Sequence, residues 1–457
     1  MTERNSPAIL GTGNIKRLLL EYSGPAIIAM MTSSLYNIID RIFIGKGVGA
    51  LAISGLALTF PLMNLAAAFG AMIGAGGATL VSIKLGQKDK RSAEMVLGNV
   101  FTLNVILGIV FMALGLYFLD EILYIFGASE NTLPYARDFM QVILIGNVVT
   151  HLYLGLNSVM RSSGNPNKAM VTTLLTVVVN LILAPIFIFY FNWGIRGAAT
   201  ATVLAQVAAL IFVLVHFADK RNFLHFQSGI YRLKKRIVSG IFSIGMAPFV
   251  MHACSCLVII IINNALQSHG GDLAIGAYGI INGIVMLFVM LVMGLNQGMQ
   301  PIAGYNFGAN LHNRVRQVLK LTLIYATIVT SGAFLLGELL PTQIAQLFTD
   351  DQELIKISAR GMRIVVAVFP IVGMQMVVAN FFQSIGRAQW AIFLSASRQL
   401  LFLLPLLLIL PAHLDTDGVW LSMPISDGIA TFIACGMLYW EFKRKKKSKD
   451  SNAQSDL

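Results

Sequence analysis

The chain has 457 residues, of which 56% are hydrophobic and only 12% charged, where soluble proteins carry about a quarter charged residues. That balance, with a mean hydropathy of +0.74, excludes a soluble globular domain and points to an integral membrane protein with many spans. The formal net charge of +12 raises nucleic acid as a partner, and the placement of the basic residues argues against it.

Residues 1–16 are polar and read as a frayed cytoplasmic segment. Apolar stretches then run near 17–44, 52–83, 95–119, 136–159, 169–191 and 197–217, each long enough to cross a bilayer at roughly 20 residues per helix. The first contains an acid, lacks an obvious cleavage site and is too long for a signal-peptide core, so it is expected to stay as a helix. A charged, amphipathic linker occupies 218–240, and further apolar stretches run near 241–266, 273–303, 317–340, 355–382, 389–411 and 418–441. Segment 443–457 lacks apolar anchors and is expected to form a disordered basic tail. The predicted fold is all-α and polytopic: twelve transmembrane helices in two homologous six-helix bundles, over 17–217 and 241–442. Pro25, Pro61, Pro185, Pro248, Pro301, Pro370, Pro405 and Pro424 lie inside spans and mark expected bends.

The two halves repeat one another. Gly49-Ala50-Leu51-Ala52-Ile53 returns as Gly271-Asp272-Leu273-Ala274-Ile275, 222 residues on, and Leu85-Gly86 returns as Phe307-Gly308 at the same offset. Transporters are commonly built this way, with the substrate path between the repeats. Of the 33 Lys and Arg, 26 fall in the amino-terminal segment, the linker, the tail and the even-to-odd connections. The alternate loops hold acids such as Asp120, Glu121, Asp350 and Asp351, which places both termini in the cytoplasm. Lys234-Lys235-Arg236 and the tail run from Lys443 then read as segments facing anionic lipid rather than nucleic acid.

Asp40 is the leading functional residue. A carboxylate within a span costs several kcal/mol unless hydrated or paired and is functional by default. The alternative is a solvated pair with Arg41 and Lys46 at the outer mouth. Ser33, Tyr36, Asn37 and Asp40 fall at i, i+3, i+4 and i+7 and predict a polar stripe. Asp427 is the other deep carboxylate, aligned with Gln206 in the repeat, and reads equally as a packing residue or a second titrating site. Met286, Met290, Met293 and Met299, with Gln297 and Gln300, form a soft stripe suited to promiscuous binding or to ordinary packing. Tyr36 and Tyr153 offer ring faces to cations, or mark interfaces. His252 and Cys256 share a helix side that Cys254 does not, so no metal site is expected. Glycines at 45–47 and 70–77 lack the order of a phosphate-binding loop, and no paired acids or nucleophile–base set suggests an enzyme.

Gly76-Gly77-Ala78-Thr79-Leu80-Val81-Ser82-Ile83-Lys84-Leu85-Gly86 and Gly298-Met299-Gln300-Pro301-Ile302-Ala303-Gly304-Tyr305-Asn306-Phe307-Gly308-Ala309 resemble the multidrug and toxic compound extrusion (MATE) family. Asn37-Ile38-Ile39-Asp40 with Ile44-Gly45, and Asn157 followed by Arg161 and Gly164-Asn165-Pro166, add to the resemblance, which covers roughly residues 15 to 442. It implies alternating access and export of small amphipathic cations in exchange for H+ or Na+, with no other cofactor, by a monomer in the bacterial inner membrane. Acids are absent from Ala247–Leu266 and Ile364–Phe382, unlike the NorM-type branch, so the chain looks DinF-like or MepA-like. In that branch the counterparts of Asn157, Asn180 and Thr202 surround the first-helix aspartate and help form its cation site; across-helix bonding is the plainer role for such side chains.

The fifth span departs from the branch pattern, with Ala184 before Pro185 where an Asp is usual. A site with one carboxylate favours a proton over a dehydrated Na+, which prefers an oxygen-rich cage. Ala184→Asp is expected to lie on the Asn180 face and add an oxygen near Asp40. The rival function is a lipid-linked oligosaccharide flippase of the same superfamily, whose diphosphate would call for intramembrane Arg or Lys, few of which are present.

Overall fold

The computed structural model describes residues 7–455, with side chains except at 50, 272 and from 444 onward. Long apolar runs become helices because a bilayer core offers no water to backbone N–H and C=O groups, and a helix satisfies them internally. The spans are α1 (Ile15–Gly47), α2 (Leu51–Gly86), α3 (Lys90–Tyr117), α4 (Leu133–Ile145 and Asn147–Ser162), α5 (Pro166–Tyr190) and α6 (Gly194–Ala218). They continue as α7 (Lys235–Gly271), α8 (Leu273–Gly308), α9 (His312–Leu339), α10 (Gln352–Val366 and Phe369–Ser384), α11 (Ala388–Ile409) and α12 (Pro411–Lys443). Counting each bent pair as one span, the described residues hold twelve, in the order expected.

Local chemistry sets the ends. Asn14 caps α1 by accepting the Arg17 N–H at 3.3 Å, Asp89 caps α3 at Ser92, and Asp351 caps α10 at Glu353 and Leu354. Both α4 and α10 bend by 54°. The α4 bend is at Gly146; in α10, Pro370 has no N–H to offer the Val366 carbonyl, where the first segment stops. Wide π turns lie at Ile186–Tyr190, just after Pro185, and at Ser397–Leu403, just before Pro405. Left-handed corners recur at the repeat offset: Gly49 and Gly271, Lys88 and Asn310, Gly164 and Gly386 all have positive φ. The repeat is therefore written in the backbone as well as in the side chains.

Two compact units emerge. One comprises Met1–Cys256, Gln297–Val318 and Gln383–Ala388, and the other Leu257–Asn296, Leu319–Phe382 and Gln389–Leu457. The first has an apolar core that includes Ile44, Leu62, Leu123, Met140, Ala184 and Ile188. The second is centred on Trp420, 1% exposed, which stacks on Tyr278 and abuts Gly361.

The amino-terminal segment is packed rather than frayed from residue 7 onward. Leu10 is fully buried, and its carbonyl accepts from Asn306 Nδ2 at 2.8 Å and Arg314 Nη2 at 3.1 Å. Residues 1–6 lie outside the described residues. The linker packs onto α3 instead of standing free: Asn99, fully buried, donates to the Ile230 and Arg232 carbonyls and accepts the Lys234 N–H. The segment expected as a disordered tail continues helical to Ser455, as a Lys- and Arg-rich run following a helix is able to do.

Glycines allow backbones to touch within the first unit. A Cβ at Gly86 would lie 2.0 Å from the Tyr305 carbonyl oxygen, and one at Gly308 would lie 2.1 Å from that of Ile83. The contact is reciprocal under the repeat. Gly86→Ala and Gly308→Ala are each expected to destabilise the protein by about 1–3 kcal/mol, the cost of overpacking. Gly283, with nothing within 4 Å of its Cβ position, is the control. Thermal unfolding in detergent checks this; equal melting temperatures for all three variants would contradict it.

Candidate functional site

The face of α1 that carries Ala29, Ser33, Tyr36, Asp40 and Ile44 advances by three or four residues at a time, and its ends at Ala29 and Ile44 are buried. Asp40 is half-buried, and its Oδ1 is enclosed with no hydrogen-bond partner among the described residues. No ion pair joins it to Arg41 or Lys46, both of which are exposed. Asn37, expected on the same stripe, is exposed and stands apart from the polar network.

Two similar trios occupy the interior behind α1. In the first, the Thr202 hydroxyl donates to the Ala198 carbonyl at 3.1 Å, and so accepts from Asn180 Nδ2 at 2.9 Å and from the Tyr36 hydroxyl at 3.4 Å. In the second, the Thr173 hydroxyl donates to the Ala169 carbonyl at 3.2 Å and accepts from Asn157 Nδ2 at 3.2 Å and from the Tyr153 hydroxyl at 3.3 Å. Both asparagines thus point their hydrogens at protein acceptors, and Asn157 Oδ1 and Asn180 Oδ1 are enclosed without partners. Thr173 and Asn180 lie seven residues apart on α5, two turns along one face. Buried oxygens without a donor are costly, and here they occur together with a carboxylate in a single compact unit. Amide oxygens of this kind suit a small hard cation, and the carboxylate alone can carry a proton.

Of the expected coupling residues, the structure joins Asn180 and Thr202 to Tyr36, one turn from Asp40, and puts Asn157 in the second trio. Of the expected substrate residues, Tyr36, Tyr153 and Gln297 lie in the first unit. Tyr153 is 5% exposed and has no open ring face. Gln297 is half-buried and donates to Met30 Sδ at 3.5 Å, while Met290 belongs to the other compact unit. Met286 is 47% exposed and Met299 fully buried, so the methionines do not present one continuous surface. Asp427 accepts from Arg398 Nε at 2.5 Å and is 5% exposed. Its carboxylate is thus held in an ion pair inside the span. Arg398 lies inside α11. Thr173 and Arg398 are among the polar residues that sequence reasoning missed; the spacing of Thr173 to Asn180 was the available signal for the first.

A family model described as MatE matches residues 25–186 and again 248–409. The chain belongs to the MatE family. The two matches begin and end 223 residues apart, so the family model itself finds the internal repeat. The multidrug export protein MepA of Staphylococcus haemolyticus (strain JCSC1435) is 26% identical, over 93% of this chain and 94% of that protein. A solved structure of the MATE multidrug transporter DinF-BH is 35% identical, has a TM-score of 0.87 and covers 94% of this chain and 96% of that one. A MATE structure in complex with MaL6 is 22% identical with a TM-score of 0.91, covers 98% and 100% of the two chains, and bears on the fold alone. Membership, with the twelve spans, makes this MatE protein a multi-pass membrane transporter of MepA- and DinF-like type.

In this MatE chain Ala184 is fully buried in the apolar core cluster that holds Ile44, Ala52, Leu62 and Ile188. Ala184→Asp should therefore cost on the order of 3–5 kcal/mol as an uncompensated buried charge. A sharp fall in melting temperature that NaCl does not reverse relative to KCl is the expected result; selective rescue by Na+ would show that the position reaches the cation site.

Proposed function

We propose that this protein is a secondary multidrug exporter of the bacterial cytoplasmic membrane, moving amphipathic organic cations out in exchange for H+ by alternating access. Both termini are cytoplasmic in this reading, and the halves over 17–217 and 241–442 are its repeated bundles. The names of the MepA relatives and of the DinF-BH multidrug transporter support a drug-like substrate. The observation that carries the coupling is the enclosed, unpartnered Asp40 Oδ1. A carboxyl held there takes and releases a proton without breaking a structural ion pair.

Asn157 Oδ1 and Asn180 Oδ1 favour Na+ as a second reading, because each leaves an acceptor oxygen unused. The lone carboxylate weighs toward the proton. The flippase alternative calls for unneutralised intramembrane cations, and Arg398 is held by Asp427.

Asp40→Asn preserves size and removes the exchangeable proton. Its expected effect is loss of gradient-driven efflux of a fluorescent cation, with parental expression and melting temperature. Parental efflux by the variant would remove Asp40 from the coupling mechanism.

A further inference from the structure

Away from the polar interior, where the linker meets the start of α3, a cavity of about 580 Å3 is lined by Lys90, Arg91, Glu94, Gln227, Ile230 and Lys234, among others. Its size lies within the range of about 300–1,000 Å3 typical of ligand clefts. Three cations and one carboxylate border it. Glu94, 5% exposed, accepts Gln227 Nε2 at 3.0 Å and has Lys90 Nζ at 3.6 Å, so it is already balanced. Arg91 and Lys234 are exposed, and their side chains pair with no carboxylate among the described residues. Asp89, just before α3, uses its carboxylate on the Ser92 N–H of its own cap at 3.0 Å.

The cavity wall is built rather than draped. Asn99 holds the linker through the Ile230 and Arg232 carbonyls at 3.3 and 3.1 Å and the Lys234 N–H at 3.0 Å, and Thr102 donates to the Tyr231 carbonyl at 3.0 Å. A Cβ at Gly98 would lie 2.3 Å from the Ile230 carbonyl oxygen, so the linker is pressed directly onto α3. Phe101, Phe226 and Tyr231 pack edge-to-face or tilted around the same junction. These contacts fix the positions from which the cationic side chains reach.

The same linker exposes apolar groups. Phe223 is 36%, Tyr231 40% and Leu233 45% exposed, and Lys90 Nζ sits 5.0 Å from the Phe223 ring centroid. Both α3 and α7 enter their apolar runs here, so the cavity lies at the end of two candidate spans. Cationic residues around a preformed cavity, flanked by exposed aromatic and aliphatic side chains, match an anionic headgroup with its chains lying alongside. A free phosphate would use the cations and leave the apolar rim without a role.

We propose that this cavity binds the phosphate of an anionic glycerophospholipid, held by Lys90, Arg91 and Lys234, with the acyl chains against Phe223 and Leu233. The site fastens the linker to the membrane surface and is independent of the transport reading.

The test uses the full chain in detergent with phosphatidylglycerol, phosphatidylcholine or inorganic phosphate added separately, read by native mass spectrometry and melting temperature. Phosphatidylglycerol should be retained in preference to phosphatidylcholine and should raise the melting temperature. Arg91→Gln with Lys234→Gln, both at exposed positions, should weaken that retention by about tenfold or more, and Glu94→Gln should not weaken it. Lys46→Gln, remote in sequence and near the other end of its span, should leave retention unchanged. Equal retention of phosphatidylglycerol by the parent and the double variant would overturn the proposal. So would stabilisation by inorganic phosphate equal to that by phosphatidylglycerol and lost in the double variant, which would assign the cavity to a free anion.

Discussion

Direct contact between backbones at glycine is the constraint on which the first compact unit depends. Helices in a bilayer gain little from hiding apolar side chains from one another, because lipid is as apolar as they are; close packing must supply the attraction instead. Gly245 brings its α-carbon so near α2 that a Cβ would fall 1.9 Å from the Met72 carbonyl oxygen, and Gly76 makes the corresponding approach to Ile241 at 2.1 Å. Gly298, the repeat partner of Gly76, meets Ser23 on α1, where a Cβ would lie 2.1 Å from the Ser23 Oγ and 2.6 Å from its backbone N. These contacts tie α1 and α2 to the first part of α7 and the last part of α8 within the first unit. Polar bonds then add direction: Gln300 donates to Thr79 Oγ1 at 2.7 Å, and the Asn306–Arg314 pair clamps the carbonyls of Leu10 and Gly13.

The polar interior follows a second rule, which is that hydroxyls bond back to their own helices. Thr173 and Thr202 each donate to the carbonyl four residues earlier and are left as acceptors. Each therefore takes an asparagine amide and a tyrosine hydroxyl, and each asparagine is left with an oxygen facing nothing that can donate. The arrangement appears twice in one unit. Asp427 shows the contrasting outcome, since Arg398 meets it and leaves a closed pair. The difference between Asp40 and Asp427 is thus one of partners, since both are acids in apolar spans.

Much of the fold was legible because lipid imposes a simple grammar. Span positions, the linker and the repeat offset follow from runs of apolar residues and from glycine-containing junctions, and the structure keeps Gly49 and Gly271 as matching left-handed corners. The sharp bend of α4 at Gly146 was not legible, because no proline stands there to announce it. Side-chain direction was the harder problem. A helical wheel put Asn37 beside Asp40 because the spacing permits either side of a broad stripe, and only packing decides that Asn37 is exposed. Ala184 keeps its turn-by-turn relation to Asn180, and the spacing alone did not show that Ile44, Leu62 and Ile188 pack in the same cluster. The Arg398 pairing was not legible, because a single charge in an apolar run carries no sign of the acid 29 residues later that accepts it.

The central claim is that one unpartnered carboxylate couples transport to protons. The most direct measurement is uptake or efflux of a fluorescent cation by the parent protein in proteoliposomes, under a pH gradient with no Na+ and, separately, under a Na+ gradient at equal pH. The account predicts transport driven by the pH gradient, with little response to Na+. Transport that follows the Na+ gradient and ignores the pH gradient would contradict it.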